Sequence, residues 1–151
     1  MTTMREVSLE ALQSLMNINV WSQKILIDHL IKNNKISNIM GISSGAAING
    51  NVGWAGYSLS KATLNMLIQL YAKENPEIHF TAFAPGLVDT AMQNYICEEV
   101  DTKKFPSVQR LKNARNTDAM PTPAEFSRRF DDSRDRILKI ESGSFVDIRK
   151  L

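Results

Sequence analysis

The fold of this chain is decided by the stretch Ile36-Ser-Asn-Ile-Met-Gly-Ile-Ser-Ser44 and by the sequence that follows it, Trp54-Ala-Gly-Tyr57-Ser-Leu-Ser-Lys61. The first stretch reads as a buried strand that runs into a loop of small residues over 45–53. The second opens an apolar pattern at helical spacing, which predicts one helix over about 55–73. Its apolar positions are Leu64, Leu67, Ile68 and Tyr71. A strand, a loop and a helix in this order indicate an α/β fold.

Three side chains on this stretch have the chemistry of proton transfer. Tyr57 and Lys61 are four residues apart and therefore lie on one helix face. A phenol has a reference pKa near 10, and a nearby ammonium favours its ionised form, so Tyr57 becomes a candidate acid or base. Ser44 lies at the carboxyl end of the predicted strand, where open α/β sheets bind ligands. A Tyr and a Lys at this spacing often occur by chance, and the serine is what makes the pattern informative.

The spacing of these residues resembles that of the short-chain dehydrogenase/reductase family. That family places a serine thirteen residues before a Tyr-x-x-x-Lys motif, as Ser44 stands before Tyr57 and Lys61. It also has an asparagine in the preceding helix, twenty-seven residues before the serine, and Asn17 lies at that distance. Asn19 is the nearby alternative, and only the spacing prefers Asn17.

The resemblance implies a role for each of these four residues. Tyr57 would be the general acid that protonates a carbonyl oxygen, and Ser44 would donate a hydrogen bond to that oxygen. Lys61 would bind the nicotinamide ribose and assist the tyrosine. Asn17 would hold a water in a proton relay. The hydride itself would come from the cofactor.

A second matching segment is Phe83-Ala-Pro85-Gly86-Leu-Val88-Asp-Thr90, which follows a predicted strand over 78–83. It is similar to the family's Pro-Gly-x-Val-x-Thr loop. The resemblance implies that this loop, together with Tyr57 and Lys61, binds the nicotinamide and diphosphate end of the cofactor. The implied contacts are Pro85, Gly86, Val88 and Thr90.

Two further segments refine the resemblance within the family. Asp89-Thr-Ala-Met-Gln93 and the ending Gly143-Ser-Phe-Val-Asp147-Ile-Arg149 are most similar to the sepiapterin reductase and benzil reductase group. That group reduces carbonyls with NADPH, so we expect NADP(H) rather than NAD(H) and a small carbonyl substrate. The residues expected to border the substrate are Ser44, Trp54, Leu87, Met92 and Gln93.

A glycine-rich turn of the Gly-x-x-x-Gly-x-Gly or G-x-G-x-x-G type, which holds a dinucleotide's diphosphate at a helix N-terminus, does not occur in the sequence. Gly50-Asn-Val-Gly53 has the wrong spacing and follows the catalytic strand, so it is interpreted as a loop. Residues 1–8 resemble the family's segment between its fourth strand and fourth helix. The expected fold is therefore a partial Rossmann-like, doubly wound parallel sheet of the last three strands, or about the carboxyl-terminal 60% of a family member.

The remaining pattern completes a single domain over 1–151. Ser8 is a candidate N-cap for a long helix over about 9–33 that ends near Asn33-Asn34. Thr122-Pro123 opens another helix that runs to about Lys139. Residues 144–148 are predicted to form the last strand. The polar segment 101–120 between these elements is interpreted as a substrate lid or mobile loop.

Composition limits the classes of partner. A net charge of +2 and the lack of a long apolar stretch give no reason to expect nucleic acid or a membrane, and a cytoplasmic location fits. The charged run over 128–136 alternates in sign, as a solvated helix face does. Cys97 is the only cysteine and is expected to be a packed or partly exposed thiol. His29 and His79 lack metal-ligand spacing, so no metal site is expected.

The partial fold also predicts association. The strand that carries Ser44 would leave one edge bare, and a bare apolar edge pairs readily with another chain. The resemblance implies a homodimer through the helices at about 9–33 and 55–73, and a complementing N-terminal fragment is a further expected partner. The alternative to a reductase is a catalytically inactive remnant that acts as an oligomerisation or interaction module. This alternative follows from the missing half of the cofactor site. Micromolar binding needs about 8 kcal/mol, and the loss of half of the cofactor contacts should remove several kcal/mol of it.

Overall fold

A computed structural model describes residues 1–33 and 35–151. Its sheet has three parallel strands in the order β1-β2-β3, with β1 at Asn38–Ile42, β2 at His79–Ala84 and β3 at Phe145–Asp147. Asn38 is paired in register with His79, and Ala82 with Phe145. Parallel neighbours need a crossover between them, and helices supply it here. The predicted partial α/β sheet is confirmed.

Six α-helices accompany the strands within the described ranges: α1 (Leu9–Met16), α2 (Ser22–Asn33), α3 (Ala55–Glu74), α4 (Ala91–Glu99), α5 (Ser107–Ala114) and α6 (Pro123–Ile137). A π-helical segment, Asn17–Trp21, joins α1 to α2, and short 3₁₀ turns occupy Gly45–Ala47 and Ile148–Lys150. The predicted helix over about 55–73 is confirmed as α3. The predicted last strand is present as β3.

The first helix differs from the prediction of a regular α-helix over about 9–33. At its middle the N–H of Ser22 donates to the carbonyl of Asn17, five residues back, which is π-helical geometry. The wide turn leaves Val20 fully buried in the core. Apolar periodicity does not reveal a single inserted residue, so this interruption was not predicted. Helix α2 ends at Asn33, and Asn34 lies outside the described residues.

The main core lies between the sheet and α3. Leu64 and Ile68 of α3 and Phe80 of β2 are almost completely buried. Gly41 of β1 lies directly beneath α3, where an added Cβ would come within 2.9 Å of the Cδ1 of Ile68. The Tyr71 ring stacks on Phe80 with centroids 5.9 Å apart. These contacts fix the position of α3 above the sheet.

A second core cluster joins the sheet to α6. Phe83, Ile137 and Val146 are buried together there. Helix α6 begins with a capping box, in which the Thr122 hydroxyl accepts from the Glu125 N–H and the Glu125 carboxylate accepts from the Thr122 N–H. The predicted start at Thr122-Pro123 is confirmed, and the helix ends two residues before the expected Lys139.

Two expectations about exposed segments are corrected. The segment 101–120 is not a plain polar loop, because it contains α5, whose Val108 and Leu111 pack on Phe105. The strand predicted to be buried is only partly so. Of the described residues Asn38–Ile42, Gly41 alone is buried, and Ile42 is 54% exposed, because β1 is an edge strand. In the part of the chain that the structure describes, no helix is long and apolar enough to cross a membrane.

Candidate active site

The candidate site lies at the carboxyl ends of β1 and β2, which meet at one edge of the parallel sheet. The Ser43 N–H donates to the Phe83 carbonyl at 2.6 Å and extends the pairing beyond β1. Ser44 follows Ser43 at the end of β1, and Pro85 directly follows the last residue of β2. Adjacent loops at this edge are where open α/β sheets bind ligands. The fold therefore brings the serine and the Pro-Gly loop side by side.

A cleft of about 170 Å³ opens at this edge. We call it the catalytic cleft because the residues predicted to be catalytic, Ser44 and Tyr57, border it. Its walls come from the Ser44 loop, the start of α3, the loop after β2, α4, α5 and the chain after β3. The bordering residues are Ser44, Gly45, Ala46, Asn49, Asn51, Trp54, Tyr57, Gly86, Leu87, Met92, Gln93, Ile96, Ser107, Arg110, Leu111 and Arg149. Ser44 and Tyr57 thus face one space, as their spacing predicts.

Ser44 begins the 3₁₀ turn that follows β1. Its Oγ accepts a hydrogen bond from the Ala46 N–H at 3.2 Å, which fixes the side chain at the start of the turn. The hydroxyl still has its own proton to donate, since this bond uses only an acceptor lone pair. Ser44 can therefore serve as a hydrogen-bond donor within the catalytic cleft.

Tyr57 and Lys61 occupy successive turns at the start of α3. The Lys61 Nζ lies 5.7 Å from the centroid of the Tyr57 ring, in cation–π range. The same Nζ donates to the Ile42 carbonyl at 2.8 Å, which ties α3 to the end of β1. Burial lowers the pKa of the Lys61 ammonium from its usual value. A positive side chain is thus held beside the phenol ring, as predicted.

Trp54 precedes α3 and connects Tyr57 to the opposite wall of the cleft. Its ring centroid lies 5.7 Å from that of Tyr57. Its Nε1–H donates to the Ser107 Oγ at 2.9 Å, so the start of α3 is bonded to the start of α5. This contact makes α5 part of the site.

The two asparagines of the first helical region are placed differently. Asn17 is exposed and does not border the catalytic cleft, and its carbonyl accepts the Ser22 N–H. The Asn19 Nδ2 donates to the Ser60 Oγ at 2.9 Å, and the Ser60 hydroxyl donates to the Tyr57 carbonyl at 2.8 Å. The structure therefore connects the Asn19 side chain, rather than that of Asn17, to the helix of Tyr57. The relay role of Asn17 stays a prediction.

The residues predicted to bind cofactor or substrate are divided between two spaces. Leu87, Met92 and Gln93 border the catalytic cleft, as do Trp54 and Gly86. Gly86 and Leu87 also border a neighbouring cavity, which reaches toward α6, and Pro85 borders only that cavity. Val88 and Thr90 border neither space, and Thr90 is the N-cap residue of α4. Their cofactor roles stay predictions.

Two arginines of the site were missed by the sequence reasoning. Arg110 and Arg149 border both the catalytic cleft and the neighbouring cavity. The Arg149 guanidinium forms a bidentate pair with Asp147, with Nε–Oδ1 at 2.9 Å and Nη2–Oδ2 at 2.6 Å. This pair holds the pKa of Asp147 below its usual value. The apolar spacing of Phe105, Val108 and Leu111 was the available signal for α5, and hence for Arg110.

Other candidate groups lie apart from the cleft. Within residues 1–33 and 35–151, no three His, Cys, Asp or Glu side chains are grouped as metal ligands. Cys97 is a buried free thiol in the cluster around Phe105, which confirms a packing role. His29 is exposed, and its Nδ1 lies 3.2 Å from the Asn33 Nδ2.

Comparison with known proteins identifies the family. The model of the family described as short chain dehydrogenase matches residues 1–101. This chain therefore belongs to the short-chain dehydrogenase family, and its catalytic cleft lies where the motifs of that resemblance meet. It is 36% identical over 103 residues to a benzil reductase ((S)-benzoin forming) of Bacillus cereus, covering 63% of this chain and 41% of that protein. It is 37% identical over 75 residues to the sepiapterin reductase of Bos taurus, covering 49% and 28% respectively.

Solved structures agree on the fold. The KRED1-Pglu enzyme matches with a TM-score of 0.82 at 23% identity, over 96% of this chain and 62% of that one. The angucycline C-6 ketoreductase LanV with bound NADP matches with a TM-score of 0.73 at 20% identity, over 98% and 56%. The matched region spans less than half the length of the Bacillus cereus benzil reductase and of the Bos taurus sepiapterin reductase, and about 60% of these two structures.

Proposed function

We propose that this chain carries the proton-transfer and carbonyl-binding part of a reductase that uses a nicotinamide cofactor. The observation that carries the proposal is the convergence of Ser44 and Tyr57 on one cleft, with the Lys61 Nζ 5.7 Å from the Tyr57 ring. Membership of the short-chain dehydrogenase family supports oxidoreductase chemistry. The benzil reductase and sepiapterin reductase relatives support a carbonyl substrate.

The residues at the strand ends fit the nicotinamide end of a dinucleotide. Gly86 has a left-handed backbone (φ +75°), and a Cβ there would come within 3.1 Å of the Arg149 side chain. At Gly45 a Cβ would lie 3.2 Å from the Arg149 Nη2. The two glycines thus let the Arg149 side chain pack against the backbone beside Ser44, which places its guanidinium at the edge where the cofactor would bind. Lys61, Tyr57, Pro85 and Gly86 would hold the cofactor there, and the cofactor would supply the hydride when bound.

The side chains have complementary tasks in the reduction. The Ser44 hydroxyl donates a hydrogen bond to the carbonyl oxygen of the substrate and so orients it. The Tyr57 hydroxyl donates its proton to the same oxygen as negative charge develops there. The Lys61 ammonium stabilises the charge that remains on the tyrosine. NADP(H) is proposed over NAD(H), with support from the resemblance to the NADPH-using group and from the NADP bound in the LanV structure.

The experiment that tests this function measures cofactor binding and turnover separately. The purified chain is titrated with NADPH and with NADH by nicotinamide fluorescence, and reduction of benzil is then followed by loss of the reduced cofactor. We expect micromolar binding, and a loss of turnover of roughly 10²- to 10⁴-fold in Tyr57→Phe with binding retained. We expect Lys61→Ala to weaken binding.

Matched controls remove the same groups elsewhere. Tyr95→Phe removes a phenol that is 62% exposed on α4, and Lys73→Ala removes an exposed ammonium from the far end of α3. Both should leave binding and turnover unchanged. An active Tyr57→Phe variant would contradict the assignment of the general acid. No binding at millimolar cofactor would show that this chain alone is not a reductase.

A second candidate function, an oligomerisation module, is favoured by the exposed apolar side chains of two helical regions. Ile18 and Ile25 belong to the first helical region, and Leu59 and Met66 lie on α3. All four are between 48% and 67% exposed. We propose that these faces, within about 9–33 and 55–73, form a homo-oligomer, and that the edge of β1 accepts a strand from a complementing N-terminal segment.

A further inference from the structure

We infer that the substrate of this site is a ketone or aldehyde that also carries a carboxylate, and that Arg110 of α5 binds the carboxylate. This inference rests on the proposed reductase function and adds the class of substrate to it. The observations behind it are the charge of the catalytic cleft, the missing partner of Arg110, and the bond that joins α5 to the helix of Tyr57.

The lining of the catalytic cleft is cationic. Two arginines border it, and none of the described residues on its walls is acidic. Arg149 is already paired with Asp147 through two hydrogen bonds. The exposed Arg110 guanidinium has no hydrogen bond or ion pair with any residue in 1–33 or 35–151. One uncompensated positive charge therefore remains in the cleft, and it is that of Arg110.

The start of α5, which carries Arg110, is held in place relative to Tyr57, although the Arg110 side chain itself is exposed. Ser107, Arg110 and Leu111 all border the cleft, because residues three and four apart lie on one helix face. The Ser107 Oγ accepts from the Trp54 Nε1–H at 2.9 Å. The Trp54 ring in turn lies 5.7 Å from the Tyr57 ring. Arg110 thus lies one helical turn after Ser107, and Ser107 is bonded to Trp54 beside Tyr57.

Gln93 gives an independent indication of a polar ligand in the same cleft. Its Oε1 is buried and has no hydrogen-bond partner among the described residues. An unpaired buried amide oxygen is costly, so a bound molecule that bonds with the Gln93 amide would relieve that cost. The Gln93 Oε1 accepts a hydrogen bond and so suits a donor group of the ligand, whereas an ionised carboxylate has no proton to donate and is left to Arg110. Trp54, Leu87 and Leu111 suit the carbon skeleton of the ligand.

A carboxylate matches this arrangement chemically. A guanidinium presents a planar fork of N–H donors that bonds both oxygens of a carboxylate. In the reaction the carbonyl carbon receives a hydride from reduced nicotinamide, and the carbonyl π electrons move to its oxygen. That oxygen then takes the proton of Tyr57. The products are a hydroxy acid and the oxidised cofactor, and the carboxylate is unchanged.

The test compares acids with their neutral esters as substrates of the full chain. Phenylglyoxylate and its methyl ester form one pair, and 4-oxo-4-phenylbutanoate and its methyl ester form another with a longer spacing. We expect at least one acid to be reduced with a kcat/KM about tenfold or more above that of its ester, the size of effect expected for one charge-assisted hydrogen bond. Arg110→Gln should abolish this preference mainly through KM, and Arg110→Lys should restore part of it.

A control variant distinguishes the effect of a positive charge inside the cleft from that of a positive charge elsewhere on the same helix. Lys112→Gln removes a cation from the same helix at a residue that does not border the cleft, so it should leave the acid-to-ester ratio unchanged. The dissociation constant of NADPH should be the same in Arg110→Gln as in the unsubstituted chain. If Arg110→Gln weakens NADPH binding and leaves the ratio intact, Arg110 contacts the cofactor and the inference is overturned.

A binding measurement distinguishes failure of the inference from failure of the proposed function. Phenylacetate and phenylacetamide, which contain no reducible ketone or aldehyde, are titrated by calorimetry. Reduction of esters and acids at equal rates, with no Arg110-dependent binding of phenylacetate, overturns the inference and leaves the reductase standing. Arg110-dependent binding of phenylacetate without reduction of any carbonyl overturns the reductase and with it the class of substrate inferred here.

Discussion

Strands β1 and β2 lie side by side in one sheet, yet their surroundings differ. Every residue of β2 from Phe80 to Ala84 is buried, whereas β1 buries only Gly41 among its described residues. Both strands are apolar in sequence, so the difference comes from position, since β2 is central and β1 is at the edge. The other edge strand, β3, still buries Val146 and Asp147, so the exposed side of the sheet is that of β1. Core stability and association should therefore depend on different halves of the molecule.

The largest expected difference is in the free energy of unfolding, when one side chain on each strand is truncated to alanine. Phe80→Ala should lower the free energy of unfolding by about 3–5 kcal/mol, because it removes a fully buried ring. Ile42→Ala, at a side chain that is 54% exposed, should cost no more than about 0.5 kcal/mol. Urea denaturation of both variants measures the two values. Equal costs would mean that β1 is covered in solution.

Self-association should instead depend on the exposed apolar face of α3. Met66→Glu places a charge on the exposed apolar face of α3, so it should weaken self-association at least tenfold, or about 1.4 kcal/mol. Met4→Glu is the control, since Met4 is also exposed but precedes the helices. Sedimentation velocity over a range of concentrations measures both. A monodisperse monomer of the unsubstituted chain would contradict association altogether.

Removing a helix cap should have a smaller effect on stability, and its size should differ between α6 and α1. Thr122→Ala removes both hydroxyl contacts with Glu125 at the start of α6, a helix anchored in the core by Ile137, and should cost about 1 kcal/mol. Ser8→Ala removes the cap of α1, which has no fully buried residue, so global stability should fall by only about 0.3 kcal/mol. Thermal and urea unfolding give the two values. A larger loss for Ser8→Ala would show that α1 is integral to the core.

The smallest effect concerns Asp147 and Arg149 at the end of β3. Because the folded-state pKa of Asp147 is depressed by Arg149, the pair stabilises the fold above the unfolded pKa of about 3.9 and loses this contribution as the pH falls through the folded value. The Arg149 side chain is 53% exposed, so Arg149→Gln should cost less than about 1 kcal/mol at pH 7. The difference between the two proteins should vanish at acidic pH. A difference in stability that does not shrink at all as the pH falls below the unfolded pKa would contradict this linkage.

Local sequence patterns were sufficient for the elements that carry the motifs. The spacing of Leu64 and Ile68 predicted α3, and the Thr122-Pro123 start predicted α6, because caps and apolar periods are encoded within a few residues. The spacing of Ser44, Tyr57 and Lys61 correctly brought these side chains to one edge of the sheet. Their roles in catalysis remain predictions.

What was missed depends on contacts that are distant in sequence. The π-helical turn at Asn17–Trp21 is accompanied by packing of Asn19 on Ser60, and no local pattern records that contact. Helix α5 was taken for a loop because its apolar residues are few among charged ones. Arg149 reaches the catalytic cleft only because β3 ends beside β2. These features are properties of the assembled sheet.

The close approach of Gly41 to Ile68 has a consequence for the chemistry as well as for packing. The residue after Gly41 supplies the carbonyl that anchors Lys61, and Ile68 lies on the same helix as that lysine. A methyl group at position 41 would therefore collide with the fully buried Ile68 side chain, which would have to shift between β1 and the helix of Lys61. The absence of a side chain at position 41 thus allows the helix that carries Tyr57 and Lys61 to pack closely on the strand that leads to Ser44.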